Sequence, residues 1–373
     1  MRFLFIFFRL LKYKAEWNKQ YRECKIRRQQ LIAINDIDHT IEELIIFFIP
    51  GADYFTGKEN ISGGLMSIIS LAHESSEIHK GTATFVICST FYNENLIYEL
   101  KTFQNNAKIL NPIVIESYFK NIKKLILHIP EFFVENFVKN HLNKFWLNSI
   151  NRVHVNILNQ NIQLMPPGDV IDRLRNSIPY ITMTTAHRKY CTDFYRINYG
   201  VPLHLFSTFV SPELYFYRTS IQKEKLILFS PDNNSLNLQL IGFLSRKLPN
   251  YQFQVIENIS YDTYKDLISR AMFVITLGEG LDGYFVETYF SGGVAFAIKN
   301  LNFFDEKYLE LPCLFDNYGK LEDLLLNLIE KYEDTAEYNQ LNVRVSQLLS
   351  KDYSYQTYQN NLRKFYNQEY TYA

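Results

Sequence analysis

The segment 271–293 constrains the fold of this chain more than any other part of the sequence. An apolar run over residues 271–277 is typical of a buried strand, and a glycine-rich turn then leads into a helix predicted over 284–291. A helix that begins at such a turn can bind an anion, because its free backbone N–H groups and the positive end of its dipole point towards the turn.

Two glutamates lie in this segment, Glu279 and Glu287, with seven residues between them. Gly278 and Gly280 flank the first glutamate. Glu287 falls about two helical turns beyond it and can accept hydrogen bonds from sugar or ribose hydroxyl groups. The alternative is an ordinary helix start, where acidic residues are common.

Apolar runs alternate with helical patterns along the rest of the chain, which predicts an α/β fold with doubly wound parallel sheets. The first half contains predicted strands at 44–50, 83–89, 125–129, 153–158, 180–184 and 202–206. The second half contains predicted strands at 226–230, 251–256, 272–277, 294–298 and 312–315. We therefore expect two Rossmann-like domains that face each other across a cleft, with ligands at the carboxyl ends of the strands.

The predicted boundaries follow from this alternation. Residues 1–40 form an N-terminal helical segment, 41–217 the first Rossmann-like domain and 218–345 the second, with a polar linker at 218–225. Helices are predicted at 320–333 and 346–366, and residues 346–373 are expected to cross back to the first domain.

Composition narrows the function classes. A chain of 373 residues that is 47% hydrophobic is long enough for two domains. The formal net charge is zero, so no basic field indicates a nucleic-acid partner. The four cysteines are widely spaced, which argues against a disulfide framework and favours the reducing cytoplasm.

The paired glutamates and the order of the predicted elements resemble the retaining, family-4 type of glycosyltransferase with the GT-B fold. The resemblance implies that Glu279 is catalytic and lies near the donor sugar, that Glu287 holds the ribose, and that Gly278 and Gly280 contact the donor. It also implies a nucleotide diphosphate sugar as substrate, no cofactor, and retention of anomeric configuration.

The resemblance extends to the first domain and to the loop after the strand at 226–230. Gly63 and Gly64 match the glycine-rich loop of the acceptor-side domain, although a flexible loop tip is the alternative. Ser230, Asn233 and Asn234 occupy the position where the family usually carries an arginine and a lysine for the diphosphate. No base stands there, and Arg188, which follows a strand end, is the candidate that replaces them; Arg246 and Lys247 are alternatives late in a helix.

Polar residues in and after the strand at 153–158 are candidates for the acceptor side. His154 is a candidate catalytic residue that faces the acceptor, and a hydrogen-bonded core histidine is the alternative. Asn159 and Asn161, at the end of the strand, are placed to hydrogen-bond sugar hydroxyls.

No metal site is predicted. Asp36-Ile37-Asp38 matches the Asp-x-Asp motif through which the other glycosyltransferase fold binds a metal. It precedes the first core strand and is therefore interpreted as a polar turn. The chain contains no His-x-x-x-His pair, no cysteine cluster and no phosphate-binding loop of the Gly-x-x-x-x-Gly-Lys type.

Residues 1–14 are apolar and basic at once, with an uninterrupted apolar run too short to span a bilayer or to form a secretory signal. They are predicted either to lie on an anionic membrane surface or to pack on the protein. The first alternative gives a cytoplasmic enzyme that is peripheral at the inner face of the membrane.

These features together predict a glycosyltransferase that moves a sugar from a nucleotide diphosphate sugar to a glycan or lipid-linked acceptor, in cell-surface polysaccharide synthesis. The alternatives are a non-catalytic GT-B partner or glycan-binding subunit, and a nucleotide-sugar epimerase of the same fold. The donor sugar, its base, the acceptor and the linkage are not encoded in any pattern found here.

Overall fold

The computed structural model of the chain contains two parallel sheets covered by helices. It describes residues 2–35, 37, 41–53, 58–59, 62–92, 94–100, 108–119, 122–142, 150–207, 216–257, 259–278, 280–281 and 283–373. The chain divides into two compact units, and among the described residues the division falls after Thr182.

The first sheet has seven strands in the order β3-β2-β1-β4-β5-β6-β7. Their bounds are β1 Glu43–Phe48, β2 Thr84–Ser89, β3 Ile109–Leu110, β4 Lys124–Pro130, β5 Arg152–Asn159, β6 Tyr180–Thr185 and β7 Leu203–Leu205. In β1 the five residues after Glu43 are all buried, as expected for a central strand of a parallel sheet with helices on both faces.

The second sheet has five strands in the order β12-β11-β10-β8-β9. They are β8 Glu224–Phe229, β9 Gln252–Val255, β10 Ala271–Thr276, β11 Val294–Ile298 and β12 Leu314–Phe315. β10 lies between β8 and β11 and pairs with both in parallel register. The carboxyl ends of these three strands therefore lie side by side at one edge of the sheet.

Twelve α-helices occur in the described residues, and most of them connect the strands. They are α1 Arg2–Asn35, α2 Gly63–Ile78, α3 Pro112–Tyr118, α4 Val134–Asn140, α5 Gly168–Ser177, α6 Asp193–Tyr199, α7 Asn234–Lys247, α8 Tyr261–Arg270, α9 Gly283–Phe290, α10 Tyr318–Tyr332, α11 Thr335–Tyr353 and α12 Tyr355–Tyr366.

The predicted α/β class with two Rossmann-like sheets is confirmed, and each predicted strand coincides with an observed one. Two details differ. The two-residue strand β3 was not expected, because it is too short to leave an apolar pattern. The helix expected over 346–366 is two helices, because Ser354 has extended backbone and caps α12 by accepting a hydrogen bond from the Thr357 N–H.

The end of the chain lies against β7. The His204 ring is 2.8 Å from the Asn361 carbonyl oxygen, and Leu203 forms an antiparallel bridge with Tyr372. The segment after α12 is thus held to the edge strand of the first sheet by backbone as well as side-chain hydrogen bonds.

Helix α1 is 34 residues long and is anchored near its carboxyl end. The buried Gln30 side chain donates to the Ile109 carbonyl oxygen and accepts from the Asn111 N–H, both at 3.0 Å. Earlier in the helix Tyr13 and Trp17 are about two-thirds exposed. Within the described part of the chain, no helix combines the length and apolar character that crossing a bilayer requires.

The chain that leads into β8 is fixed by the carboxyl ends of α8 and α9. The half-buried Lys223 donates from its ammonium to the carbonyl oxygens of Ser269 and Ser291, at 2.7 and 2.8 Å. These are last-turn carbonyls that lack partners within their helices, so the cation satisfies them and complements both helix dipoles.

Gly292 allows the same segment to approach α9. Its φ of +81° is in the left-handed region, and a Cβ there would lie 2.1 Å from the Arg218 carbonyl oxygen. Gly81 has almost the same φ, +80°, but a Cβ there would meet nothing within 4 Å.

Because alanine at 292 adds a backbone clash to the unfavourable φ, we expect Gly292→Ala to lower the free energy of unfolding by at least about 3 kcal/mol. Gly81→Ala is the matched control and should cost about 1 kcal/mol, the effect of φ alone. Urea unfolding of both variants measures the difference. Equal costs would show that the close approach to Arg218 does not constrain the fold.

Candidate functional site

Residues predicted for the acceptor side meet at the carboxyl edge of the first sheet. Ser62 caps α2 by accepting from the Leu65 N–H, and α2 begins at Gly63. The Gln160 side chain donates to the Gly64 carbonyl oxygen at 3.1 Å. A Cβ on Gly64 would lie 2.9 Å from Gln160 Oε1, so glycine permits this contact.

Glu131 orders the end of β5. Its buried carboxylate accepts from the backbone N–H groups of Gln160 and Asn161, at 3.2 and 3.0 Å. Asn161 in turn caps a short 3-10 turn by accepting from the Gln163 N–H. Asn159 is buried, and its Nδ2 has no hydrogen-bond partner among the described residues. The structure thus brings Gly64, Asn159 and Asn161 together and leaves a buried amide donor ready for a ligand.

His154 lies inside the sheet. Its Nε2 is 2.8 Å from the Thr182 hydroxyl, which donates to Asn156 Oδ1, and Asn156 Nδ2 is 3.0 Å from His128 Nδ1. Burial, with the nearby charges of Lys124 and Arg152, lowers the pKa of His154 to about 3, so the ring is neutral.

The geometry of His154 corrects its assignment as a catalytic residue. His154 precedes Asn159 by five residues, which is about 17 Å along an extended strand, and it is only 4% exposed. An acceptor at the carboxyl edge is too distant for it. The alternative, a core histidine with a satisfied hydrogen bond, fits the structure.

The residues predicted for the donor side lie at the carboxyl edge of the second sheet. Gly280 has φ +80°, and a Cβ there would lie 2.7 Å from the Phe304 ring and 2.8 Å from the Ile298 carbonyl oxygen. A Cβ on Gly278 would lie 2.6 Å from Cγ of Asp232. Packing within the protein therefore requires both glycines. Glu279, the residue between them, lies outside the described residues.

The loop between β8 and α7 contributes Ser230, Asn233 and Asn234 to this edge. Ser230 is fully buried, and its hydroxyl has no partner among the described residues. Asn233 caps α7 by accepting from the Leu236 N–H, and Asn234 is exposed at the first position of the helix. Asn237 holds the loop by donating to the Ser230 carbonyl oxygen at 2.7 Å.

Glu287 lies in α9, with its side chain 5% exposed, and forms an ion pair with Lys265 of α8, whose side chain is 4% exposed. The ammonium is 3.3 Å from Oε2, yet the geometry does not make a hydrogen bond, and Oε2 has no hydrogen-bond partner among the described residues. This oxygen retains its capacity to accept from a ligand hydroxyl. No local sequence pattern predicts this ion pair, because Lys265 precedes Glu287 by 22 residues and lies on another helix.

Arg188 forms an ion pair with Asp352. Its Nε donates to Asp352 Oδ1 at 2.8 Å, and Asp352 also accepts from Lys307 and Tyr308. Burial alone would raise the pKa of Asp352, but these hydrogen bonds and charges lower it overall. The pair with Asp352 is made through Nε and the Arg188 side chain remains 54% exposed, so its assignment to the donor diphosphate stays a prediction.

Metal-binding groups are not clustered in the part of the chain that the structure describes: no three His, Cys, Asp or Glu side chains come together there. Asp36 and Asp38 lie outside the described residues.

Comparison with protein-family models and with curated proteins gives no match to this sequence. Solved structures do match the fold. One is an alpha-glucosyltransferase in complex with UDP-glucose and DNA containing an abasic site, with a TM-score of 0.56 and 10% identity over 87% of this chain and 98% of that one. Another is HepE of Anabaena in complex with UDP and glucose, with a TM-score of 0.56 and 9% identity over 87% and 99% of the two chains.

A third is sucrose-phosphate synthase of Thermosynechococcus elongatus, with a TM-score of 0.53 and 8% identity over 88% of this chain and 99% of that one. The fold is GT-B. At such low identity the likeness establishes the fold alone, and the expected GT-B architecture is confirmed to that extent.

Within this GT-B fold, three residues of the candidate sites were not found from the sequence. Glu131 directly follows a predicted strand end, which was a usable signal. The sequence contains no signal for Lys265 or Asp232. Only the packing of α8 on α9, and of the loop between β8 and α7 on Gly278, reveals their contacts.

The buried ion pair makes Glu287 important for stability. Glu287→Gln should lower the free energy of unfolding by about 3–5 kcal/mol, because it leaves the Lys265 ammonium buried without a counter-charge. The double variant Glu287→Leu with Lys265→Met should recover most of that loss. Glu337→Gln, in the exposed pair with Lys331, is the control and should cost less than about 1 kcal/mol. Urea unfolding provides the measurement, and an equal cost for the two single variants would contradict the argument.

Proposed function

We propose that the protein is a glycosyltransferase that moves a sugar from a nucleotide diphosphate sugar to a glycan or lipid-linked acceptor, with retention of configuration and without a metal. The observation that supports this most is the junction of β10 and α9. A buried strand ends there in a glycine turn, the N-terminus of α9 follows, and Glu287 is buried in that helix with an oxygen that can still accept. Cell-surface polysaccharide synthesis is the proposed context.

The donor would bind at this edge by the same physics as other helix N-termini. Backbone N–H groups and the helix dipole attract the diphosphate, the Ser230 hydroxyl donates a hydrogen bond, and Glu287 accepts from the ribose. HepE of Anabaena and the alpha-glucosyltransferase were solved with UDP or UDP-glucose, so a uridine nucleotide is the first donor to test.

The acceptor would bind at the edge of the first sheet. Asn159 offers a buried, unpaired amide donor, and Asn161 and Gly64 lie beside it. Sugar hydroxyls suit such a site because they both accept and donate. Catalysis then depends on positioning and on stabilising the charge of the leaving diphosphate.

A non-catalytic GT-B protein is the second candidate, and one observation favours it. The loop between β8 and α7 carries Asp232, a carboxylate, against Gly278. A negative charge at this point opposes a diphosphate, so a sugar-binding subunit that has lost donor affinity would carry the same loop.

Turnover separates the two candidates. With UDP-glucose and cell-envelope extract, release of UDP should persist in the presence of a chelator, because the proposed mechanism uses a helix N-terminus and side chains in place of a metal. Glu279→Ala should reduce the rate at least about 100-fold, as loss of a group at the reacting centre does. Glu330→Ala, an exposed acid on α10, is the control.

Loss of activity to the chelator would contradict the metal-free mechanism. Binding of UDP-glucose without release of UDP from any extract would support the non-catalytic protein instead.

The membrane proposal rests on α1. Arg9, Lys12 and Lys14 are exposed on this helix, and Tyr13 and Trp17 are exposed beside them. Cations attract anionic lipid headgroups, and aromatic rings favour the bilayer interface. We propose that α1 lies on an anionic membrane surface and brings the enzyme to a lipid-linked acceptor; of residues 1–14, the side chains of 1–8 and 10 lie outside the described part.

Replacing Arg9, Lys12 and Lys14 by Gln should weaken binding to phosphatidylglycerol-containing vesicles by about 3 kcal/mol at low salt, since each base contributes about 1 kcal/mol near such a surface. Replacing Lys108, Lys139 and Lys247 by Gln removes the same charge from other exposed sites. Vesicle sedimentation measures both variants. Equal weakening would assign the effect to net charge, and no binding by the unmodified chain would remove the membrane role.

A further inference from the structure

The proposed donor site lies at the carboxyl edge of the second sheet, next to the loop between β8 and α7. The loop between β8 and α7 contains no base, and it presents the Asp232 carboxylate within 2.7 Å of the point where a Cβ on Gly278 would lie. Without a cation, the backbone N–H groups of the turn would have to hold the two negative charges of a diphosphate beside the negative charge of Asp232. A positive side chain close to the turn is therefore required on electrostatic grounds.

Lys299 is placed to provide that charge. It directly follows β11, the strand beside β10. The carbonyl oxygen of Ile298 would lie 2.8 Å from a Cβ on Gly280, so the peptide that joins Ile298 to Lys299 packs against the glycine turn. The Lys299 N–H donates to the Phe315 carbonyl oxygen at 2.7 Å, which fixes its backbone.

The ammonium of Lys299 has an exchangeable partner. It lies 2.9 Å from Asp316 Oδ1, and Lys320 bonds the other oxygen of the same carboxylate. The side chains of Asp316 and Lys320 are 49% and 58% exposed, and that of Lys299 is 26% exposed. Partly exposed ion pairs of this kind contribute little stability, so Lys299 can leave Asp316 at small cost while Lys320 remains to neutralise it.

The order of strands puts the other polar groups in line with Lys299. Along the edge β11-β10-β8, Lys299 is followed by the turn at Gly278 and Gly280 and then by Ser230. The Ser230 hydroxyl is buried and has no partner among the described residues. A ligand that bridges these strands would meet a cation, backbone N–H groups and a hydroxyl donor, which is the donor set that a phosphate group requires.

We propose that Lys299 binds the diphosphate of the donor and replaces the arginine and lysine that are missing from the loop between β8 and α7. The proposal rests on the proposed function, since it concerns how the nucleotide diphosphate is held. A lysine suits the task, because its compact charge on a flexible four-carbon stem can move from Asp316 to a phosphate oxygen. Arg188, in contrast, is held by the buried Asp352.

The test compares two lysines that share one partner. Lys299→Gln and Lys320→Gln each remove one cation from Asp316, but only Lys299 adjoins the glycine turn. Binding of UDP, UMP and uridine to the full chain is measured by calorimetry at low salt. We expect Lys299→Gln to raise the Kd of UDP about tenfold, the UMP effect to be smaller and uridine to be unchanged, because a charge-assisted hydrogen bond to phosphate is lost. Lys320→Gln should change each Kd less than twofold.

Unchanged UDP affinity in Lys299→Gln, or equal losses in both variants, would overturn the role of Lys299 and leave the proposed function standing, since the unmodified chain would still bind UDP. A loss that is as large for uridine as for UDP would also overturn it, because it would indicate disturbed packing. If the unmodified chain binds no nucleotide at all, the proposed function and this inference fall together.

Discussion

A parallel sheet covered by helices on both faces leaves only the strand ends for polar chemistry, and the other features of this protein follow from that constraint. Within the strands, backbone groups pair with neighbouring strands and most of the buried side chains are apolar. Buried polar side chains do occur in the first sheet: hydrogen bonds link His128, Asn156, Thr182 and His154, and burial lowers the pKa of both histidines. Groups that are able to bind a ligand appear only where strands stop.

The carboxyl edges of the two sheets present different polar groups. In the first sheet a carboxylate, Glu131, is used internally to fix the backbone after β5, so that neutral amides are presented. In the second sheet the backbone itself is brought to the surface by glycines, and charged side chains are arranged around it. Neutral amides suit hydroxyl-rich ligands, while exposed N–H groups with a movable lysine suit anions. The proposed assignment of the acceptor to the first sheet and of the donor to the second is consistent with these polar groups.

The strands other than β3 could be predicted from the sequence, because β1 and β10 are almost continuous apolar runs while β5 and β9 alternate apolar and polar residues. The two-residue β3 is too short for either pattern. The turn after β10 could be predicted because glycines follow the apolar run. The side chains that contact its residues could not be predicted. Asp232 at Gly278, Lys265 at Glu287 and Asp352 at Arg188 are contacts between distant elements, and no local pattern encodes them. His154 was misassigned because alternation shows that a side chain points to one face of a strand but not what covers that face.

The anchoring of the segment before β8 determines when this segment can dock on its own unit. Lys223 and Arg218 are held by Ser291, which follows them in the chain by 68 and 73 residues, and Gly292 is shaped to receive Arg218. During synthesis the ribosome releases β8 and β9 long before this receptor exists. The Lys223 ammonium gains the Ser269 carbonyl oxygen when α8 emerges, but the Ser291 carbonyl oxygen and Gly292 follow only after α9. Contacts of such long sequence separation form slowly. The segment before β8 therefore cannot dock completely until the residues that follow α9 have left the ribosome.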